Sequence, residues 1–262
     1  MIQPRTLDVQ GIQTHMLQAT PDRRNIPLPV LVLHGWGANA GLVQVILDRL
    51  SAQGAVVVAP DLPGFGDSAL PPATWDVFSY ANWVLALLDA LGMERCHLIG
   101  HSFGGRLGLI LGAEHAARLG KMILVDSAGI PPKRSTSSQL RLRTYKLVRD
   151  GLKAVGARGL SDRLRGWYSS KYGSSDFQSA GALREIFVRV VNQDLSDYAR
   201  RVGVSTLLVW GDQDEDTPLW QGQTLEKLIP DAGLVTLKGA GHYSYLERPA
   251  EFATIAHHFL TH

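Results

Sequence analysis

Ser102 stands in Gly100-His101-Ser102-Phe103-Gly104, a G-x-S-x-G pentapeptide. It follows an apolar run, Cys96 to Ile99, that reads as a buried strand, and it precedes a helical pattern that starts at Arg106. In that setting the pentapeptide reads as a nucleophile turn. A serine on a sharp strand-to-helix turn projects its hydroxyl above the sheet. The neighbouring chain passes so close that side chains at 100 and 104 would collide with it, hence the glycines. The turn also holds the hydroxyl at a helix N-terminus, where backbone N–H groups favour developing negative charge. A serine hydroxyl is a poor nucleophile until a base takes its proton during attack. Of the nine histidines, His242 is the candidate base. It follows a predicted strand and the turn Gly239-Ala240-Gly241, whose glycines let the loop carry the imidazole over the serine. The imidazole needs an acceptor on its other nitrogen. Asp212, Asp214 and Asp216 follow one predicted strand and Asp126 ends another, so position along the chain leaves several candidates. Attack on a carbonyl makes a tetrahedral oxyanion, which takes two N–H donors. The N–H of Phe103 comes with the turn. The second is expected from the loop His34-Gly35-Trp36-Gly37.

These residues need a scaffold that brings distant segments to one place. Six short apolar runs read as strands: Pro29 to Leu33, Ala55 to Ala59, Cys96 to Ile99, Met122 to Val125, Thr206 to Trp210 and Leu234 to Leu237. Fully apolar runs of this length suit strands covered on both faces. Helical patterns fall between and after them, at Val43 to Leu50, Tyr80 to Leu91, Arg106 to Leu119, Leu219 to Leu228 and Ala250 to Leu260. The alternation predicts an α/β fold with a mostly parallel central sheet and helices on both faces. Ligands of such sheets sit beyond the carboxyl ends of the strands, which is where the Gly-rich loops fall.

The segments HGWG (34–37), DLPGFGDS (61–68), GHSFGG (100–105), WGDQDEDTP (210–218) and GAGHYSYLERP (239–249) resemble, in order and separation, the α/β-hydrolase superfamily. The resemblance covers nearly the whole chain and is specific for the fold rather than for a substrate. It implies a Ser-Asp-His order, which Ser102, Asp214 and His242 satisfy, with Asp214 where the family places its acid. Asp126 holds a position that some relatives use instead. The resemblance also implies that the N–H groups of Trp36 and Phe103 form the oxyanion hole, and that the Trp36 indole lines the acyl pocket. His34, Asp61 and the PGFG turn read as loop-shaping residues, and Glu247 and Pro249 as the start of the last helix, with Glu247 a further candidate brace for the His242 loop. His97 reads as packed or hydrogen-bonded within its strand. His257, His258 and His262 read as surface residues, and His15 and His115 carry no motif. Cys96 reads as core.

The alternation breaks between 131 and 203, where no strand is predicted and helical patterns such as Gln139 to Val155 and Ala182 to Val191 follow a turn-rich PPKRSTSS. The expectation is a core of 1–130 and 204–262 with a helical cap at 131–203 acting as a lid over the strand ends. Leu140, Leu142, Tyr145, Leu147, Trp167 and Tyr168 are candidates to face the pocket. This segment carries 15 Lys and Arg against 6 Asp and Glu, whereas the remainder carries 11 against 18. The bias is read as solvated helix faces, with attraction of anionic substrates or an acidic carrier as the alternative.

Composition removes other classes. The 262 residues are 45% hydrophobic and 19% charged with a net charge of +2, which excludes disorder and gives no global pointer to nucleic acid or a membrane surface. The single cysteine forms no internal disulfide, no secretory leader is recognised at the N-terminus, and no apolar run reaches the ~18 residues of a membrane span. A cytoplasmic location is expected. No zinc-site spacing, P-loop or dinucleotide fingerprint is present, so no cofactor or metal is expected. The resemblance implies a serine hydrolase of a small-molecule ester, and the lid architecture sets the expectation of small to medium acyl groups. Family dehalogenases and epoxide hydrolases use Asp at the turn, where this chain has Ser102. Carbon–carbon bond hydrolases of the meta-cleavage type often carry Asn and Trp where this chain has His101 and Tyr243, so they rank second. An acyltransferase would use the same three residues. A ligand receptor on a hydrolase fold, with slow turnover, is the reading from a different class. Oligomeric state is not legible.

Overall fold

The computed structural model describes residues 1–132 and 180–262, with short pieces at 144–145, 147–152, 154–157, 159–161 and 163–164. Eight strands form one sheet: β1 (Ile2–Val9), β2 (Ile12–Ala19), β3 (Val30–Leu33), β4 (Val57–Pro60), β5 (Cys96–His101), β6 (Leu119–Val125), β7 (Thr206–Gly211) and β8 (Ala232–Leu237). Their order is β1-β2-β4-β3-β5-β6-β7-β8. The pairs from β4 through β8 are parallel, and β1 and β2 add an antiparallel hairpin at one edge.

The six predicted strands are all present, and the reason is visible in their burial. Every residue of β3, β4, β5 and β7 is buried. Successive side chains alternate between two cores. Leu31, Leu33, Leu98, Met122, Leu124, Leu208 and Trp210 point to one, and Val30, Val32, Ile99, Ile123, Val125, Leu207 and Val209 to the other. The first core is closed by α2 (Val77–Ala90), α3 (Phe103–Glu114) and α6 (Trp220–Leu228). The second is closed by α1 (Gln44–Ala52) and α8 (Pro249–Thr261). A capping box between Asp76 and Ser79 starts α2, and Pro249 starts α8.

Two features depart from the sequence reading. The hairpin β1–β2 was not anticipated, because its residues alternate and β1 is largely exposed. Its signal is the two-residue turn Gln10-Gly11, with φ of 55° and 81°, as a tight hairpin turn needs. The helix expected to run to Leu119 stops at Glu114. A single 3₁₀ turn, Ala116–Arg118, follows, and Leu119 begins β6.

Between β6 and β7 the described residues include two short helices, α4 (Arg184–Val191) and α5 (Ser196–Ala199), and no strand. The Leu195 N–H donates to the Gly129 carbonyl at 3.0 Å, so the chain returns to the point where it left. Leu140, Leu142, Trp167 and Tyr168 lie outside the described residues. Leu147 is exposed and Tyr145 half-buried. A four-residue helix, α7 (Ser244–Glu247), precedes α8. No helix among the described residues is long and apolar enough to cross a membrane.

Candidate active site

The candidate residues follow the carboxyl ends of five parallel neighbours: Trp36 after β3, Ser102 after β5, Asp126 after β6, Asp214 after β7 and His242 after β8. Ser102 has φ 50° and ψ −104°, a strained backbone for a non-glycine residue, of the kind that costs about 1–3 kcal/mol. The surroundings hold it there. The Ser102 N–H donates to the Val125 carbonyl at 3.0 Å. A Cβ on Gly100 would stand 2.5 Å from the Gly104 carbonyl oxygen, and one on Gly104 would overlap the Leu33 carbonyl. Both glycines are required by close approach.

Ser102 Oγ lies 3.1 Å from His242 Nε2, and His242 Nδ1 lies 2.9 Å from Asp214 Oδ2. The three residues, spread over 140 positions, form one hydrogen-bonded line with Nδ1–H donated to Asp214 and Nε2 left to accept from the serine. The electrostatics match. Burial acts to lower the His242 pKa, but the Asp214 carboxylate outweighs it and holds the imidazole above its usual value. Burial likewise acts to raise Asp214, but hydrogen bonds from His242 and Thr217 hold it below the usual carboxylate range. The Thr217 N–H donates to Asp214 Oδ1 at 2.9 Å, and the Thr217 hydroxyl lies 2.7 Å from Oδ2. This arrangement can deprotonate a serine and stabilise the imidazolium that results.

The other aspartates have different partners. Asp126 Oδ1 accepts from the Gly211 N–H at 2.8 Å and Oδ2 from the Ser244 N–H at 3.0 Å. It thus brackets the segments that carry Asp214 and His242. Burial pushes its pKa up to about 7. Asp212 accepts from the Gly239 N–H at 2.7 Å, and Asp216 is exposed at the pocket. Glu247 accepts from the Gly241 N–H at 3.1 Å, so it braces the His242 loop.

The amide N–H groups of Trp36 and Phe103 have no hydrogen-bond acceptor among the described residues. The Phe103 amide is the first of α3, where N–H groups lack intrahelical partners. The Trp36 indole packs edge-on against Phe65, Phe103 and Phe187, with ring centroids 4.9, 5.5 and 5.0 Å away, and it lines the pocket over Ser102. His34 shapes this loop. Its Nδ1–H donates to the Gly35 carbonyl at 2.7 Å and its Nε2 accepts from the Leu62 N–H at 2.9 Å. Burial lowers its pKa to about 4. Asp61 holds the neighbouring loop by accepting from the Ala40 and Asp67 N–H groups, and it also pairs with His15 at 2.9 Å. His97 accepts from the Lys121 N–H. Cys96 is buried and its thiol is pushed up to about 12.

His101 was not anticipated as part of the site. Its Nε2–H donates to the His242 carbonyl at 2.8 Å, tying the nucleophile strand to the base loop. Burial depresses its pKa to about 3, so it stays neutral. No local motif reports such a contact; only the pairing of two distant segments does. Among the described residues, two groups bring three metal-capable side chains together, His15 with Asp61 and Asp67, and Asp214 with Asp216 and His242. In the first, both Asp61 oxygens already accept backbone N–H groups. In the second, Asp214 and His242 are directed at one another.

The pocket above Ser102 has a volume of about 320 Å³. Its apolar wall includes Trp36, Phe103, Ile130, Phe187, Val190 and Val191, and its polar residues include Arg106, Asp216, Thr217 and Gln221.

A family model described as "Alpha/beta hydrolase family" matches residues 30–255. The chain belongs to the alpha/beta hydrolase family. Within it, the chain is similar to a pimeloyl-[acyl-carrier protein] methyl ester esterase of Aeromonas hydrophila, 27% identical, covering 88% of this chain and 94% of that one. It is also similar to a 2-hydroxymuconate semialdehyde hydrolase of Pseudomonas putida, 29% identical, covering 88% and 86%. Among solved alpha/beta hydrolase folds, it superposes on a membrane phospholipase A described as a bacterial virulence factor (TM-score 0.76, 25% identity, 99% of this chain and 86% of that one). It superposes as well on the enol-lactonase of Burkholderia xenovorans (TM-score 0.72, 24% identity, 98% and 100%).

Proposed function

We propose that this alpha/beta hydrolase cleaves carboxylic esters through an acyl-serine intermediate. The observation that carries the reading is the line from Asp214 through His242 to Ser102, set under a mostly apolar pocket of about 320 Å³. His242 Nε2 takes the Ser102 proton as Oγ attacks the ester carbonyl. The oxyanion is received by the N–H groups of Trp36 and Phe103. His242 then gives its proton to the leaving alcohol. It next takes one from water, whose oxygen attacks the acyl carbon, and returns that proton to Ser102 Oγ as the acid is released. We assign the lid role to the 131–203 segment; of its described residues, Pro132 and the α4 residues Phe187, Val190 and Val191 line the pocket. Likeness to a methyl ester esterase supports an ester substrate, and the pocket volume, near the small end for ligand sites, supports small to medium acyl groups.

A second reading, hydrolysis of a carbon–carbon bond, draws support from the likeness to the Pseudomonas putida semialdehyde hydrolase. The test is turnover of p-nitrophenyl acetate, butyrate, octanoate and decanoate by the wild type and by Ser102→Ala. The expected outcome is turnover that falls by about 10³-fold or more in the variant, with an optimum at the shorter chains. Equal, slow rates for both proteins on every ester would remove the ester reading and move the search to carbon–carbon substrates, then to a receptor role.

A further inference from the structure

Arg106 is four residues after Ser102 on the nucleophile helix, lines the same pocket, and is only 6% exposed. No carboxylate lies within ion-pair distance of it among the described residues. Its Nη1 donates to the Gln193 carbonyl at 2.8 Å and its Nη2 to the Val191 carbonyl at 3.3 Å. A guanidinium has five N–H donors, so three remain without an acceptor among the described residues. Burial lowers its pKa to about 10, and Asp194 acts in the opposite direction. It therefore carries a full positive charge at neutral pH. Gln221 lines the same pocket at 3% exposure, and its side-chain amide has no hydrogen bond among the described residues. A mostly apolar pocket thus holds a largely buried cation with donors to spare and an amide without a protein partner among the described residues. Neither is among the polar side chains sealed from solvent without a partner, so their free donors are open to a ligand in the pocket.

We infer that Arg106 is a specificity residue for a carboxylate on the substrate, so that the preferred esters are half-esters of dicarboxylic acids or other esters bearing an anionic acyl end. The inference rests on the ester-hydrolase reading. A carboxylate suits the planar fork of the guanidinium, whose free donors bind it through two oxygens. The Gln221 amide is a further donor for the same group. Asp216, an acidic side chain of the same lining, stands beside His242 and repels an anion placed there. The carboxylate is therefore set at the Arg106 wall, away from the reacting carbonyl.

The test compares kcat/KM for the monomethyl esters of succinic, glutaric and adipic acids with methyl alkanoates of matching length, in the wild type, Arg106→Gln and Arg106→Lys. The wild type should favour at least one half-ester by about tenfold or more, because a site built to pair a polar group discriminates against the analogue that lacks it. Arg106→Gln should bring the ratio to about one, and Arg106→Lys should fall between, since an ammonium keeps the charge without the fork. A wild-type ratio at or below one overturns the inference. So does an Arg106→Gln protein in which both rates fall together at a constant ratio, which would make Arg106 a staple for the end of α4. Turnover of p-nitrophenyl butyrate that matches that of Ser102→Ala removes the ester reading itself, and this inference with it.

Discussion

His242 sits between two demands, since it must be neutral to accept the serine proton yet is bound to a carboxylate that favours its charged form. With its pKa raised by Asp214, the acid limb of kcat/KM should fall above the ordinary imidazole value of about 6.5, because the free enzyme must carry neutral His242. Asp214→Asn should move that limb to lower pH and reduce kcat by about 10⁴-fold, through loss of the tautomer that directs Nε2 at the serine. A pH–rate profile of both proteins checks the two effects, and an unmoved limb would assign the titration to another group. Gly104→Ala tests the turn. Its Cβ would overlap the Leu33 carbonyl, so the variant should lose about 1–3 kcal/mol or more in urea denaturation and most of its activity. Ser102, His242 and Gly104 were legible in the chain because strand, turn and helix signals surround them. Arg106, Thr217, Gln221 and His101 were not. Each matters through a partner or a pocket contributed by segments far away in sequence, and no local pattern encodes that.

The strand ends are held in register by a bracket as well as by the sheet. Asp126 takes one N–H from the start of the Asp214 loop and one from the residue two beyond His242. Asparagine at 126 offers one carbonyl oxygen and a donor where two acceptors are needed. Asp126→Asn should therefore leave an N–H unpaired and cost about 1–3 kcal/mol, with a lower kcat as the two loops lose their common anchor. The pH dependence carries a sign. Burial raises the Asp126 pKa from 3.8 to about 7, so the folded state binds this proton more tightly than the unfolded one. The stability it contributes is greatest in acid and is lost as pH rises through that window. The deficit of Asp126→Asn in urea midpoints should accordingly shrink from about pH 4 to about pH 7 and stay constant above; a deficit that grows over the same window would refute the assignment. At this scale the six parallel strands were legible because burial on both faces makes them continuously apolar. The hairpin β1–β2 was not, because an edge strand facing solvent carries no such run, and its only local mark is the Gln10-Gly11 turn.

Across the whole molecule, stability should be graded from the middle of the sheet outward. Hydrogen exchange should be slowest in β3, β5 and the second half of β6, buried on both faces, and fastest in β1, whose outer edge is unpaired and mostly exposed. Uniform protection from β1 to β8 would contradict that gradient. Fold class was readable at this level because the order of strand and helix along the chain dictates the layers. The α4 part of the pocket wall was not, since Phe187 and Val190 reach the pocket from a segment far in sequence from the strand ends. The hydrogen bond from Leu195 to Gly129 has a bearing on how such a molecule changes over generations. Where an excursion starts and ends at one stitched point, its length and content are free to vary while the frame beneath keeps its register. Recombination at that seam would exchange the α4 part of the pocket wall in one event and leave the serine, histidine and aspartate where they stand.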